Sequence, residues 1–192
     1  ALIPFRSTWQ YYDKGSLDGT GWNAQGFTAS NWKSGKAPFG YGTVGTTANA
    51  ADYYTTIDYG GDPNKKRPTY YFRKTFTLTE EPSYEDRFYI HYYLDDGALF
   101  YINGTEVGGY HCNSGVSYDD FSTTHEGNTA AYGTIEIPAT VLQKGSNVIT
   151  VEVHNTSFTS SDIFFDAKVE KAKFKTTFLG KQETITLNDE VD

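Results

Sequence analysis

Methionine is missing altogether, and cysteine occurs once among 192 residues. A single thiol excludes an intrachain disulfide, so the fold must rest on a hydrophobic core. The length supports one well-buried core, whereas two would each be marginal. Cys112 reads either as a small buried side chain or as a stray loop thiol, and the usual burial of free cysteine favours the first. No apolar run approaches the ~20 residues needed to span a bilayer. No segment sustains an apolar period of 3.6, which argues against long helices. Basic residues are also scarce: 16 Lys and Arg face 24 Asp and Glu, for a net charge of −8. Without a basic stripe, a nucleic-acid backbone or an anionic membrane would be repelled. An acidic polysaccharide would need a bridging cation. No charged stretch precedes an apolar run at the start. With methionine absent, the sequence therefore reads as a module cut from a longer, already processed protein. It is expected to be secreted or on a cell surface, tethered to other modules, and monomeric.

What is abundant points to strands. Aromatic residues make up 17%, led by 16 Tyr and 13 Phe, and 19 Gly supply tight turns. Strands are predicted over 70–78, 88–93, 98–103, 105–108, 132–137, 147–153 and 162–169, with period-two alternation of apolar residues. Lys74 interrupts the apolar face of its strand, which suggests an edge position or a bulge. Asp95-Asp96-Gly97 and Asn103-Gly104 are turn signals. Residues 138–142 could form one short helical turn. Residues 1–40 read as short strands or turns around Trp9, Trp22, Phe27, Trp32 and Phe39, and 41–69 as a long irregular loop of the kind that is usually functional or disordered. The module is placed at 1–170, with 171–192 a terminal strand pair or a linker.

Strands joined by short connections usually run antiparallel. Alternating directions from residue 70 onward gathers loops 41–69, 109–131 and 154–161 at the end that holds Asp95-Asp96-Gly97. Long loops on a rigid scaffold are where binding groups tend to sit. This end carries Asp52, Tyr53, Tyr54, Asp58, Tyr59, Asp95, Asp96, His111, Asn113, Tyr118, Asp119, Asp120, His125, His154, Asn155 and Asp162.

That composition suits a carbohydrate. A flat ring packs on the C–H face of a pyranose, and carboxylates, amides or imidazoles take its hydroxyls. Tyr53, Tyr54, Tyr59 and Tyr118 are the candidate platforms; Asp95, Asp96, His154, Asn155 and Asp162 are the candidate polar partners. Each also has a plain reading. The tyrosines would pack the loops down, the two Asp would cap a turn in which Gly97 accepts a positive φ, and His154 would be a strand-end hydrogen-bonding group on the polar face with Thr150 and Glu152. A calcium ion needs several oxygens in one place. Asp13, Asp18 and Asp166 would supply them if the first strand lies beside the last. Catalysis finds little footing, with no Gly-x-Ser-x-Gly elbow and no zinc spacing.

Several segments together carry a family likeness: Trp9 through Gly15, Gly21-Trp22 with Asn31-Trp32, Ala37 through Gly42, Tyr71 through Phe76, Asp95-Asp96-Gly97-Ala98 through Tyr101-Ile102-Asn103-Gly104, and Gly145-Ser146-Asn147-Val148-Ile149 through Val153-His154. Over roughly residues 7–170 the chain resembles the galactose-binding-domain-like jelly rolls of bacterial secreted enzymes and surface proteins. The resemblance implies an all-β, antiparallel two-sheet β-sandwich, often with a structural calcium (Ca2+) and sometimes a sugar site in the loops at one end. The segment His111 through Gly115 matches no sugar-site motif. The resulting expectation is a non-catalytic carbohydrate-binding module that targets its parent protein to plant or other polysaccharide. The alternative is a structural β-sandwich that packs on a neighbouring domain and binds no glycan.

Overall fold

The computed structural model describes residues 1–42, 45–46, 49–50, 53–127, 129–179 and 182–188. The strands are β1 (Thr8–Tyr12), β2 (Lys33–Lys36), β3 (Phe39–Tyr41), β4 (Gly45–Thr46), β5 (Asn49–Ala50), β6 (Thr55–Thr56), β7 (Thr69–Leu78), β8 (Asp86–Asp95), β9 (Gly97–Ile102), β10 (Thr105–Tyr110), β11 (Thr129–Ile137), β12 (Gly145–His154), β13 (Ile163–Leu179) and β14 (Gln182–Asn188). One 3₁₀ turn, Ala139–Val141, falls where a short helical turn is expected from the sequence. The strands form two sheets, mostly antiparallel. The first has the order β10-β9-β12-β7-β1-β2, and the second β5-β4-β11-β8-β13-β3-β6, with β14 pairing β13 alone. The all-β sandwich read from the sequence is what the chain forms.

Period-two alternation builds the interior. In β8, Phe88, Ile90, Tyr92 and Leu94 are buried while Tyr89, His91 and Tyr93 face outward and stay half-exposed. Phe72 of β7 sits between Phe39 at 5.0 Å and Phe165 at 4.5 Å, and Trp9 meets Phe165 edge-on at 5.4 Å. A second, smaller cluster covers the outside of the first sheet, where Leu17, Trp22 and Trp32 pack on Tyr71. Arg73 fixes this cover by donating to the carbonyls of Trp22, Ala24 and Gln25. The three tryptophans therefore serve packing.

Lys74 stands where β7 becomes an edge: the register with β1 ends at Gln10 and Arg73, Lys74 pairs on its other side with Ile149 of β12, and its ammonium donates to Thr8 O at 2.8 Å. An irregularity in pairing falls between Glu106 and Gly108. Two local expectations change. Asp95-Asp96-Gly97 does not close a hairpin. β8 belongs to one sheet and β9 to the other, so the three residues carry the chain across the sandwich. Gly97 is needed there for space, not for a positive φ: a Cβ would lie 2.8 Å from His111 O and 2.8 Å from Ser122 Cβ. Asn103-Gly104 does form a hairpin, pairing Ile102 with Thr105, with both turn residues at positive φ. At the other end of the sequence, β13 runs unbroken past residue 170 to Leu179.

Because Phe72 is fully buried between two rings, Phe72→Ala is expected to cost about 3–5 kcal/mol. Urea unfolding followed by tryptophan fluorescence would measure it.

Candidate functional site

Strand directions alternate as expected, since β12 is antiparallel to both β7 and β9, and β8 is antiparallel to both β11 and β13. The long loops do meet at one end, and Asn155 shows how. Its N–H donates to Pro68 O at 2.7 Å and its carbonyl accepts from Ser122 N at 2.9 Å. Its Nδ2 donates to the Tyr41 hydroxyl at 2.8 Å, and its Oδ1 accepts from Thr156 N at 2.9 Å. One buried residue, through its backbone and its side chain, thus ties Tyr41 and Pro68, Ser122 of the loop after β10, and its own loop together.

Asp96 makes the second tie. Oδ1 accepts from Glu126 N at 3.0 Å and lies 3.1 Å from His125 Nδ1, while Oδ2 accepts from Thr156 N at 3.1 Å. His154 makes the third. Its Nδ1 faces Asp120 O at 2.6 Å and Thr69 Oγ1 at 3.0 Å, and its Nε2 faces Glu152 Oε1 at 2.6 Å. The Thr69 hydroxyl already donates to Tyr118 O. The ring therefore meets acceptors on both nitrogens. The other Glu152 oxygen accepts from the Tyr101 hydroxyl at 2.9 Å. Sequence parity puts Thr150, Glu152 and His154 together on the polar face of β12. All three are buried, because the 13–32 segment and the 111–123 loop lie over that side.

Asp95 and Asp162 are buried as well, and none of their carboxylate oxygens has a hydrogen-bond partner. Burial, together with the carboxyls of Asp96, Asp162 and Glu126, pushes Asp95 up to about 10. Burial and Asp96 also raise Asp162. The protonated, neutral form of Asp95 is thereby favoured. Burial raises the Cys112 thiol to about 12, reinforced by Glu152 and Asp120, which disfavours the thiolate of this half-buried loop cysteine.

The tyrosines expected as a platform are scattered. Tyr53 is half-buried on Phe164 and donates its hydroxyl to Tyr41 O at 2.9 Å. Gly40 makes room for it, since a Cβ there would come within 2.4 Å of the ring. Tyr54 is 54% exposed but lies under Lys36 Nζ at 4.6 Å and beside Arg6. Tyr59 packs edge-on to Tyr41 at 5.2 Å with Lys66 at 5.3 Å. Tyr118 joins the Trp22–Trp32 cluster. Asp52 lies outside the described residues. Rim residues that sequence reasoning did not single out are Tyr41, Thr69, Ser122 and Glu152. Only Glu152 carried a signal, its two-residue spacing from His154.

The three carboxylates expected to hold calcium have separate partners. Asp13 accepts from Lys33 Nζ at 3.0 Å and Asp58 N at 2.9 Å, Asp18 from Tyr118 N at 3.1 Å, and Asp166 from Arg6 N at 3.1 Å and Ala167 N at 2.8 Å. They do not fit calcium as one ligand set, and no group of three or more His, Cys, Asp or Glu able to hold a metal occurs among the described residues. At the opposite end of the sandwich a cavity of about 360 Å³ opens between Leu78, Pro82, Asp86, Phe88 and Lys171.

No family model matches the chain, and no curated protein matches it. Solved structures do. A β-glycosidase from Bacteroides vulgatus aligns over 98% of this chain and 24% of its own, with 19% identity and a TM-score of 0.50. A glycosyl hydrolase family 2 member from Bacteroides cellulosilyticus aligns over 91% and 22%, with 15% identity and a TM-score of 0.50. A β-glucuronidase from glycoside hydrolase family 2 aligns over 86% and 17%, with 16% identity and a TM-score of 0.50. The likeness is one of fold, and the chain spans less than a quarter of each of these proteins.

Two outcomes are expected from the rim. His154→Ala leaves Glu152 Oε1 and Asp120 O without their imidazole partner and should cost about 1–3 kcal/mol in urea unfolding. Asp95 sits higher in the folded chain, at about 10, than the ordinary 3.8. It therefore takes up a proton on folding, and its contribution falls as pH rises through that window. Asp95→Asn removes this penalty, so its melting temperature should exceed that of the wild type by more at pH 8 than at pH 5.

Proposed function

We propose that the chain is a non-catalytic accessory domain of a larger, secreted or surface-exposed carbohydrate-active protein, and that it contributes attachment to glycan. The closed rim carries the non-catalytic half of this reading. Glycoside hydrolysis needs two carboxyl groups facing substrate across roughly 5–9.5 Å. Asp95, Asp96 and Asp162 are instead enclosed, and Asp96 is engaged by donors from two loops. The fold likeness supports the reading from another side: in the glycosidase chains above, the matched region is a minor part of a much longer polypeptide. A domain tethered in this way raises the local concentration of its neighbour at a polysaccharide surface without new contacts to the reacting bond.

The second reading, a β-sandwich that packs on a neighbouring domain and holds no glycan, draws on the same closed rim. Affinity electrophoresis against soluble xyloglucan, mixed-linkage β-glucan, galactomannan and pectate, with a reducing-sugar assay on the same mixtures, separates them. Retardation on at least one glycan without release of reducing ends is the expected result. Migration unchanged in every gel would favour the packing role, and release of reducing ends would make the chain a hydrolase.

A further inference from the structure

The outer face of the second sheet carries an arrangement that the loop end lacks. Pairing of β11, β8 and β13 places three rows across it: Tyr132, Tyr93 and Asp166; Thr134, His91 and Lys168; Glu136, Tyr89 and Glu170. Aromatic side chains run down the middle strand, with polar groups on both flanks. The rings form one band. Phe5 meets Tyr93 at 5.4 Å, Tyr93 meets Tyr132 at 5.1 Å, Tyr132 stacks on His91 at 6.2 Å with 15° between planes, and His91 lies 6.1 Å from Tyr89. Tyr132 is 51% exposed, one of four large hydrophobic side chains among the described residues that stand out in solvent.

The flanking groups are held in place. His91 Nδ1 lies 3.0 Å from Thr134 Oγ1 and 3.0 Å from the Tyr132 hydroxyl, and its Nε2 lies 2.6 Å from Glu170. Glu170 also receives Lys168 at 2.6 Å, and Arg87 approaches Glu136 at 3.6 Å. The face is therefore locally balanced, with two cations opposite two carboxylates, on a chain whose net charge is −8. Asp166 is withdrawn beneath Arg6 N.

We propose that this aromatic band is a binding face for a neutral glycan chain, with the rings of Tyr132 and Tyr89 as its platforms and Thr134, His91, Lys168 and Glu170 as its hydroxyl partners. The inference rests on the glycan-attachment reading above and names its surface. Charge and desolvation select the occupant. An apolar protein surface pressed on the band would strip water from the His91–Glu170–Lys168 group, and charges lose more by dehydration than they regain. A polyanion would meet Glu136 and Glu170 on an acidic domain. A neutral polyhydroxyl chain lays C–H faces on the rings and replaces the water at each lone pair and N–H with its own hydroxyls, leaving the ion pairs hydrated in kind.

The test compares Tyr132→Ala, Tyr89→Ala and the rim variant Tyr54→Ala with the wild type in the polysaccharide gels, with thermal melts to verify folding. Tyr132 and Tyr89 stand on the outer face, so the fold should persist. Each band variant is expected to weaken retardation on a neutral glycan roughly tenfold or more, the scale of one lost aromatic anchor, while Tyr54→Ala leaves it unchanged. Titration of an ¹⁵N-labelled chain with oligosaccharides cut from the retained polysaccharide should shift the amides of 89–93 and 132–136, and not those of 118–126; this readout stands even if a variant misfolds. Wild-type binding by a folded Tyr132→Ala, Tyr89→Ala double variant would overturn the band and leave glycan attachment standing. Retention by pectate alone would overturn the neutral class. A wild-type chain retained by no glycan would remove both readings.

Discussion

Every polar atom of Asn155 that can hydrogen-bond does so inside the protein, and the loop end of the sandwich is organised around that fact. Its partners come from the 41–68 segment, from Ser122 and from the neighbouring Thr156. A buried amide left unpaired is costly, so the three loops are held to one mutual arrangement. Asp96 and His154 repeat the logic with a carboxylate and an imidazole. The outcome is an interior polar network where long loops would ordinarily leave an open pocket. The two acids without partners, Asp95 and Asp162, sit within it. For Asp95, burial favours the protonated form, which costs less to enclose than a carboxylate.

Much of the fold was legible because strands obey a strict period. The alternation of Phe88, Ile90 and Tyr92 against Tyr89, His91 and Tyr93 states which side is core, and counting turns from residue 70 gathers the correct loops. The same reasoning failed where a strand has no wet side. Thr150, Glu152 and His154 look like a solvent face, yet residues from 13–32 and 111–123 cover β12. No local pattern announces that a distant, Gly-rich segment will lie there. Asp95-Asp96-Gly97 misled for a related reason. Its composition is that of a tight turn, and composition cannot tell a hairpin from a crossing between sheets.

The site residues divide along the same line. Parity located the loop end but said nothing about depth, so side chains suited to sugar hydroxyls turned out to be engaged with each other. The tyrosines Tyr53, Tyr59 and Tyr118 fill gaps between loop and sheet, which is the packing alternative that the sequence left open. Conversely, the ring-bearing outer positions of β8 and β11 were visible in the sequence as the polar half of two ordinary strands. Only the register between them brings Tyr132 beside His91 and Tyr93.

The ties that hold the loops also change how the molecule comes apart. Loops generally open on their own, well before the strands they connect. Here the Asn155–Pro68 and Asn155–Ser122 backbone bonds splice segments from three parts of the chain onto the end of β12, a strand paired along its whole length with β7. Loosening any one segment exposes a buried amide, carboxylate or imidazole from the others. Protease access at 155–162 and amide exchange in the Ser122 region should therefore follow the rare openings of the whole sandwich, which makes this end part of its cooperative unit.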